Sequence, residues 1–141
     1  MRMKSPVTRP LNKNEYQLTF PYEEICSDGE LDYFIRVHPG FVFDGASIPR
    51  FAWSILGLYP MSAQLQGPAL IHDALYGAEM FDRLTCDRIF YRDLRRQGIG
   101  WTRASTMYRA VRIGGGFCWA AHTPGMVELA KNYVEIQGLA A

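Results

Sequence analysis

The spacing of apolar residues changes along the chain. Aromatic and β-branched residues alternate in part with polar ones over Glu15 to Phe20 and again over Leu31 to Val37, and Ser27-Asp28-Gly29-Glu30 between them is turn chemistry. The pair predicts a β-hairpin. His38-Pro39-Gly40 breaks the chain before a short apolar run, Phe41-Val42-Phe43, which leads into Asp44-Gly45. A small antiparallel sheet over residues 15–44 is the expectation.

Beyond this point apolar residues recur every three or four positions, the period of helices. Pro49 predicts a helix through Phe51, Trp53, Ile55 and Leu56 that Gly57 closes. Pro68 opens a second, with Ala69, Leu70, Ala74, Leu75 and Ala78 apolar and His72, Asp73 and Tyr76 among them. A third runs from about Leu84 to Arg96 on an Ile89, Phe90 and Leu94 face, ended by Gly98-Ile99-Gly100. A fourth starts at Thr102 and meets Gly114-Gly115-Gly116, which predicts a kink or a stop. A short helix over about 125–137 closes the series.

The fold class is therefore α+β: a β-rich part over 1–43, a helical core over 44–121 and a C-terminal helix or tail over 122–141, as one domain. Composition agrees. Of 141 residues, 48% are apolar and 21% charged, a globular balance that lets a chain this long bury roughly 70% of its unfolded surface. Fifteen Lys+Arg oppose 14 Asp+Glu, a net charge of +1, so no nucleic acid partner is expected. No stretch approaches the ~20 apolar residues of a transmembrane segment, and no apolar run follows the N-terminal basic residues as it would in a signal peptide. Cys26, Cys86 and Cys118 are unpatterned, which points to buried thiols in a reducing compartment rather than a disulfide framework.

Three clusters carry candidate chemistry. His72 and Asp73 diverge by ~100° on a helix yet flank one site, and Tyr76 shares their surface, four and three residues on. The plain alternative is an exposed helix face. Asp44-Gly45-Ala46-Ser47 is a loop in which glycine lets a backbone N–H approach a ligand and oxygens serve a hard cation; alternatively it is a turn whose Ser47 caps the next helix. Asp87, fifteen residues after His72 on what reads as an antiparallel neighbour, is placed to accept the second ring N–H of His72, or to complement a helix N-terminus. Ser47 and the cysteines have no histidine at motif spacing, so covalent catalysis is the weaker enzymatic option. A zinc site from His38, His72 and carboxylates lacks tight ligand spacing. His122 has no ligand-like neighbours, and the arginines at 88, 92, 95, 96, 103, 109 and 112 concentrate on two helices, as solvated faces or as contacts to phosphate headgroups.

The ordered set Asp44-Gly45-Ala46-Ser47, His72-Asp73-Ala74-Leu75-Tyr76, Asp87 through Leu94, and Tyr108-Arg109-Ala110-Val111-Arg112 resembles the secreted prokaryotic and fungal phospholipases A2 over about residues 44–115. The resemblance implies a phospholipase-A2-like helical core in which His72 is the general base, Asp87 orients it, and Asp44 and Asp73 bind Ca²⁺. It further implies Gly45 N–H at the oxyanion and Tyr76 and Tyr108 as hydrogen-bond donors to Asp87. That family pairs two cysteines as a disulfide where this chain has Ala46 and Ala69, a departure consistent with a reducing setting. A second resemblance, through Gly40 to Arg50, His72 to Tyr76 and Asp87 to Phe90, spans nearly the whole chain: the phage and bacterial proteins called domain of unknown function 1353.

Two functions follow as expectations. One is a phage-derived, calcium-assisted ester hydrolase acting on phospholipid. The other is a non-catalytic tail, baseplate or lysis-accessory protein, partnered by other virion proteins, that keeps the His-Asp-Tyr network as a structural element. Either would be made in the host cytoplasm without a signal peptide, with the virion as one destination. A rim of Phe51, Trp53 and Tyr59 would suit lipid docking, a core or an interface.

Overall fold

A computed structural model describes residues 5–45, 47–56 and 64–139. Eleven elements follow in order: β1 (Thr8–Pro10), β2 (Tyr16–Leu18), β3 (Tyr22–Ser27), β4 (Asp32–Val37), β5 (Val42–Phe43), α1 (Arg50–Leu56), α2 (Gln66–Ala78), α3 (Arg83–Arg96), α4 (Trp101–Ala120), α5 (Pro124–Lys131) and β6 (Val134–Gly138). The class is α+β. The strands form two antiparallel three-stranded sheets, ordered β1-β2-β5 and β3-β4-β6.

The predicted turn at 27–30 exists, but the strand before it differs from the expected one. Asp28 Oδ1 accepts the N–H groups of Glu30 and Leu31, both at 2.8 Å, and Gly29 takes a positive φ of 103°. That turn joins β4 to β3, in register from Tyr22 opposite Val37 to Ser27 opposite Asp32. Tyr16–Leu18 lies instead between β1 and β5. Glu23 and Glu24 hide β3 from a hydrophobicity pattern. Both are paired: Glu23 with Arg36 across the hairpin at 2.9 Å, and Glu24 with the Tyr22 hydroxyl at 2.9 Å.

Two apolar clusters share α2. Leu70, Ile71, Ala74, Leu75 and Ala78 pack with Leu18, Ile35, Val37 and Phe43 of the sheets, whereas Leu65 and Ala69 pack with Ile48, Trp53, Phe90, Leu94, Met107 and Val111. A helix apolar on nearly all sides is a buried helix, and this burial takes His72 into the interior. The α2 helix ends where Glu79 turns left-handed, φ 48°, its N–H donating to Leu75 O. Asp82 caps α3 by accepting from Thr85 N at 2.8 Å. Asp87 therefore lies beyond the first turn and faces inward rather than serving the helix terminus.

The triple glycine does not stop α4, which continues to Ala120. Its role is close approach. A Cβ on Gly115 would stand 2.5 Å from the Tyr76 hydroxyl and 3.3 Å from Arg83 Nη1, and one on Gly114 would meet Pro49 at 2.5 Å. The expected helix over 125–137 is also corrected. Thr123 accepts from Met126 N at 3.2 Å to cap α5, the helix ends at Lys131, and β6 then pairs with β4, Val134 opposite Val37 and Ile136 opposite Ile35. The free edge of β4 recruits this segment from far along the chain, a pairing that local spacing does not encode. The helix stop expected at Gly57 and the aromatic expected at Tyr59 lie outside the described residues, as does Ala46. Ala69 is a core residue.

Candidate active site

The α2 and α3 helices pack side by side, and the contact is polar at one level. His72 and Asp87, neither exposed at all, meet with Nε2 of the ring 2.7 Å from Asp87 Oδ1. The same oxygen accepts the Tyr76 hydroxyl at 2.7 Å. Asp87 Oδ2 faces two cations: Arg112 Nη1 from α4 at 2.8 Å and Arg83 Nη1 from α3 at 3.5 Å. Arg83 also donates to the Val111 and Arg112 carbonyls, each at 3.1 Å. The side-chain-free surface at Gly115 and Gly116 admits the guanidinium to those carbonyls. Burial alone would push the Asp87 carboxyl up, but the hydrogen bond and charge of His72, the Tyr76 hydroxyl and Arg112 outweigh it and hold the group below the usual carboxylate range.

On the ring's other side Nδ1 lies 2.8 Å from Ser47 Oγ. Ser47 also hydrogen-bonds Asp73 Oδ1, and Asp73 Oδ2 accepts Gly45 N at 2.8 Å and Asp44 N at 3.3 Å. Gly45 reaches this position with φ 73°, a conformation that costs glycine little. Burial, with repulsion from Asp44, pushes the Asp73 carboxyl above its ordinary range against the pull of the Ser47 hydrogen bond. The Ser47 hydroxyl has one hydrogen, so it points either at Asp73 or, when Asp73 carries a proton, at His72 Nδ1.

The polar line opens onto a cavity of about 400 Å³. Ser47 and Asp73 stand among apolar walls that include Phe41, Val42, Met126, Leu129, Ala130 and Tyr133. His72 does not line it. The mostly apolar lining with a few convergent polar groups is the composition of a small-molecule site.

Of the residues expected at a site, His72, Asp87, Tyr76, Asp73, Asp44 and Gly45 converge here. Tyr108 does not. Met107, the neighbour that α4 buries, turns Tyr108 away toward Tyr91, at a ring separation of 5.9 Å, on a separate cavity with Arg88, Arg92 and Arg109. The donors that Asp87 uses in its place are Arg112 and Arg83. Gly45 N–H, expected at an oxyanion, is engaged by Asp73. Ser47 has the histidine partner that its sequence position did not reveal, because β5, the loop after it and α2 meet only in three dimensions. His122, which the sequence left without a role, borders the cavity and pairs with Glu79 at 3.1 Å. His38 binds Glu135 of β6 at 3.2 Å, and both ring nitrogens of His72 are engaged by Ser47 and Asp87, which leaves His72 no nitrogen for a zinc ion shared with His38. Phe51 is exposed and Trp53 is core, and neither borders the cavity.

The donor set does not suit calcium. Asp73 accepts N–H and O–H donors on both oxygens, and the loop turns N–H groups toward it where a hard cation needs oxygens. Among the described residues no group of three His, Cys, Asp or Glu side chains is placed to hold a metal ion. The described residues as arranged do not make a calcium cage. No helix among the described residues is long and apolar enough to cross a membrane.

A family model described as "Protein of unknown function (DUF1353)" matches residues 18–111, a span that contains Ser47, His72, Asp73, Tyr76 and Asp87 and ends one residue before Arg112. No curated protein and no solved structure matches the chain.

Proposed function

The chain belongs to the DUF1353 family, whose description names no activity, and from the site itself we propose that it hydrolyses carboxylic esters of apolar acyl groups, phospholipids among them, with His72 as general base. One observation carries this reading: a buried imidazole, anchored by a carboxylate on one nitrogen, presents its other nitrogen to a hydroxyl at the wall of an apolar cavity. The chemistry follows from the hydrogen bonds. When Nδ1 takes a proton, the positive charge is stabilised by Asp87 2.7 Å away. Arg83 and Arg112 on Oδ2 keep Asp87 ionised, so the proton stays on the imidazole and is available to the leaving alcohol. Tyr76 fixes the carboxylate plane. The walls at Phe41, Leu129 and Tyr133 suit an acyl chain and exclude water around the reacting ester.

The phospholipase A2 likeness and a phage setting rest on sequence resemblance alone; they point to envelope lipid as the first substrate to try. The test is fatty-acid release from mixed phospholipid vesicles and hydrolysis of soluble medium-chain p-nitrophenyl esters, each with calcium and with chelator, by wild type and His72→Ala. Release that depends on His72 supports the reading. Equal rates for both proteins on every substrate would refute it.

A second reading has its own observation. Both ring nitrogens of His72 are occupied, and Arg83 ties α3 to carbonyls of α4, so the network also cross-links three helices. A non-catalytic virion component would use it in that way. For such a protein, substitution of His72 lowers stability and no ester is turned over.

A further inference from the structure

His72 has no exposed surface, and its Nδ1 is covered by Ser47 Oγ at 2.8 Å. Ser47, in contrast, lines the apolar cavity. A water activated by His72 would need the place on Nδ1 that the serine oxygen holds. The loop is fixed in this arrangement by Asp73, which accepts the N–H groups of Asp44 and Gly45; when Asp73 carries a proton, the Ser47 hydrogen points at His72 Nδ1. Ser47, His72 and Asp87 thereby form a continuous line from the cavity wall to a carboxylate held by two arginines. The ring nitrogens are used in the opposite sense to the serine proteases, carboxylate on Nε2 and hydroxyl on Nδ1; either nitrogen of an imidazole serves as the base.

We propose that Ser47 is a covalent nucleophile, acylated from an ester whose acyl chain lies in the cavity. This rests on the hydrolase reading and names its reaction path. Ser47 Oγ forms a bond to the acyl carbonyl carbon while its proton passes to His72 Nδ1. The ester C–O bond then breaks, and the departing alcohol takes that proton. Water next attacks the acyl-serine and gives a proton to His72; the Ser47–acyl bond breaks, Ser47 recovers the proton, and the carboxylic acid leaves. The sum is ester plus water to acid plus alcohol. His72 and Asp87 are unchanged.

The experiment uses the full chain with a long-chain alkyl fluorophosphonate, read by intact-protein mass spectrometry and peptide mapping, beside steady-state hydrolysis of a p-nitrophenyl octanoate-type ester. The expected result is one adduct on Ser47, absent from Ser47→Ala and His72→Ala, with hydrolysis in folded Ser47→Ala down by roughly 10³-fold or more. Ser47→Cys keeps a nucleophile of similar size, and a hydroxylamine-sensitive acyl adduct on it supports the proposal even if Ser47→Ala fails to fold. Ester hydrolysis that survives in folded Ser47→Ala, with no adduct on wild type, would overturn the serine step and leave the hydrolase reading intact. Neither hydrolysis nor adduct in wild type would overturn both.

Discussion

Exchanging single glycines of α4 for alanine tests the close approach on which the site depends. At Gly116 a Cβ would meet, among the described residues, only Arg83 Cζ, at 4.0 Å, an ordinary contact. Alanine is there worth about 1 kcal/mol over glycine in a helix interior. At Gly115 the same atom would stand 2.5 Å from the Tyr76 hydroxyl and 3.3 Å from Tyr76 Cε2. Tyr76 cannot retreat: its ring lies 4.2 Å from that of His72 and 5.2 Å from that of Trp119, and its hydroxyl is held by Asp87. Overpacking a filled site costs about 1–3 kcal/mol, and displacing a hydrogen bond to a charged group about 1.5–3 kcal/mol. The helix gain is common to both variants and cancels, so toward the lower end of these costs Gly115→Ala is expected to be less stable than Gly116→Ala by about 3 kcal/mol. At about 4 °C per kcal/mol for a domain of this size, the melting temperatures separate by about 12 °C. Calorimetry or far-UV circular dichroism reads the gap directly. Equal melting temperatures for the two variants would refute the packing of α4 on Tyr76 and Arg83.

Tyr76→Phe is expected to lower ester turnover and to destabilise by about 1–2 kcal/mol, since it removes a buried donor to Asp87, while Tyr108→Phe leaves turnover unchanged; the reverse order in a rate comparison would restore Tyr108 to the site. Asp87→Asn leaves Arg112 and Arg83 without their buried counter-charge and is expected to cost about 3 kcal/mol in urea denaturation; a loss below about 1 kcal/mol would show that the carboxylate charge is not what the guanidiniums compensate. Asp93, buried beside Cys26, Arg96 and Glu24, is pushed up to about 7, chiefly by burial. Its folded form then holds a proton that the unfolded carboxyl releases near 4, so its contribution to stability is complete below pH 4 and is lost as pH rises through about 7. Urea midpoints should accordingly favour Asp93→Asn over wild type more at pH 8 than at pH 5, and a pH-independent difference would contradict this.

Much of the site was legible because its chemistry sits in short motifs on α2 and α3. The fifteen-residue separation of His72 and Asp87 across a tight helix connection brings them together, whereas the exposed helix face that was the plain alternative for His72 and Tyr76 is in fact buried. Helix existence followed from apolar period for the same reason. What the sequence hid is non-local. β3 reads as polar because Glu23 and Glu24 find partners only after folding, and β6 is recruited by an open strand edge. Ser47 meets His72 through a loop whose conformation depends on Asp73 accepting its N–H groups. The glycine triplet was read as a breaker, although the half-buried Arg83 guanidinium and the buried Tyr76 phenol it accommodates come from two other helices. Tyr108 and Arg112 lie four residues apart on α4, and only packing against α3 decides which of them reaches Asp87.

The most direct measurement is the ¹H–¹⁵N spectrum of the three histidine rings. One ring, lost in His72→Ala, is expected to carry a solvent-protected, far-downfield Nε2 proton that disappears in Asp87→Asn and persists in Tyr108→Phe. The same ring's Nδ1 resonance should move in Ser47→Ala. Three histidines whose ring protons all exchange freely with water, indifferent to Asp87 and Ser47, would contradict it.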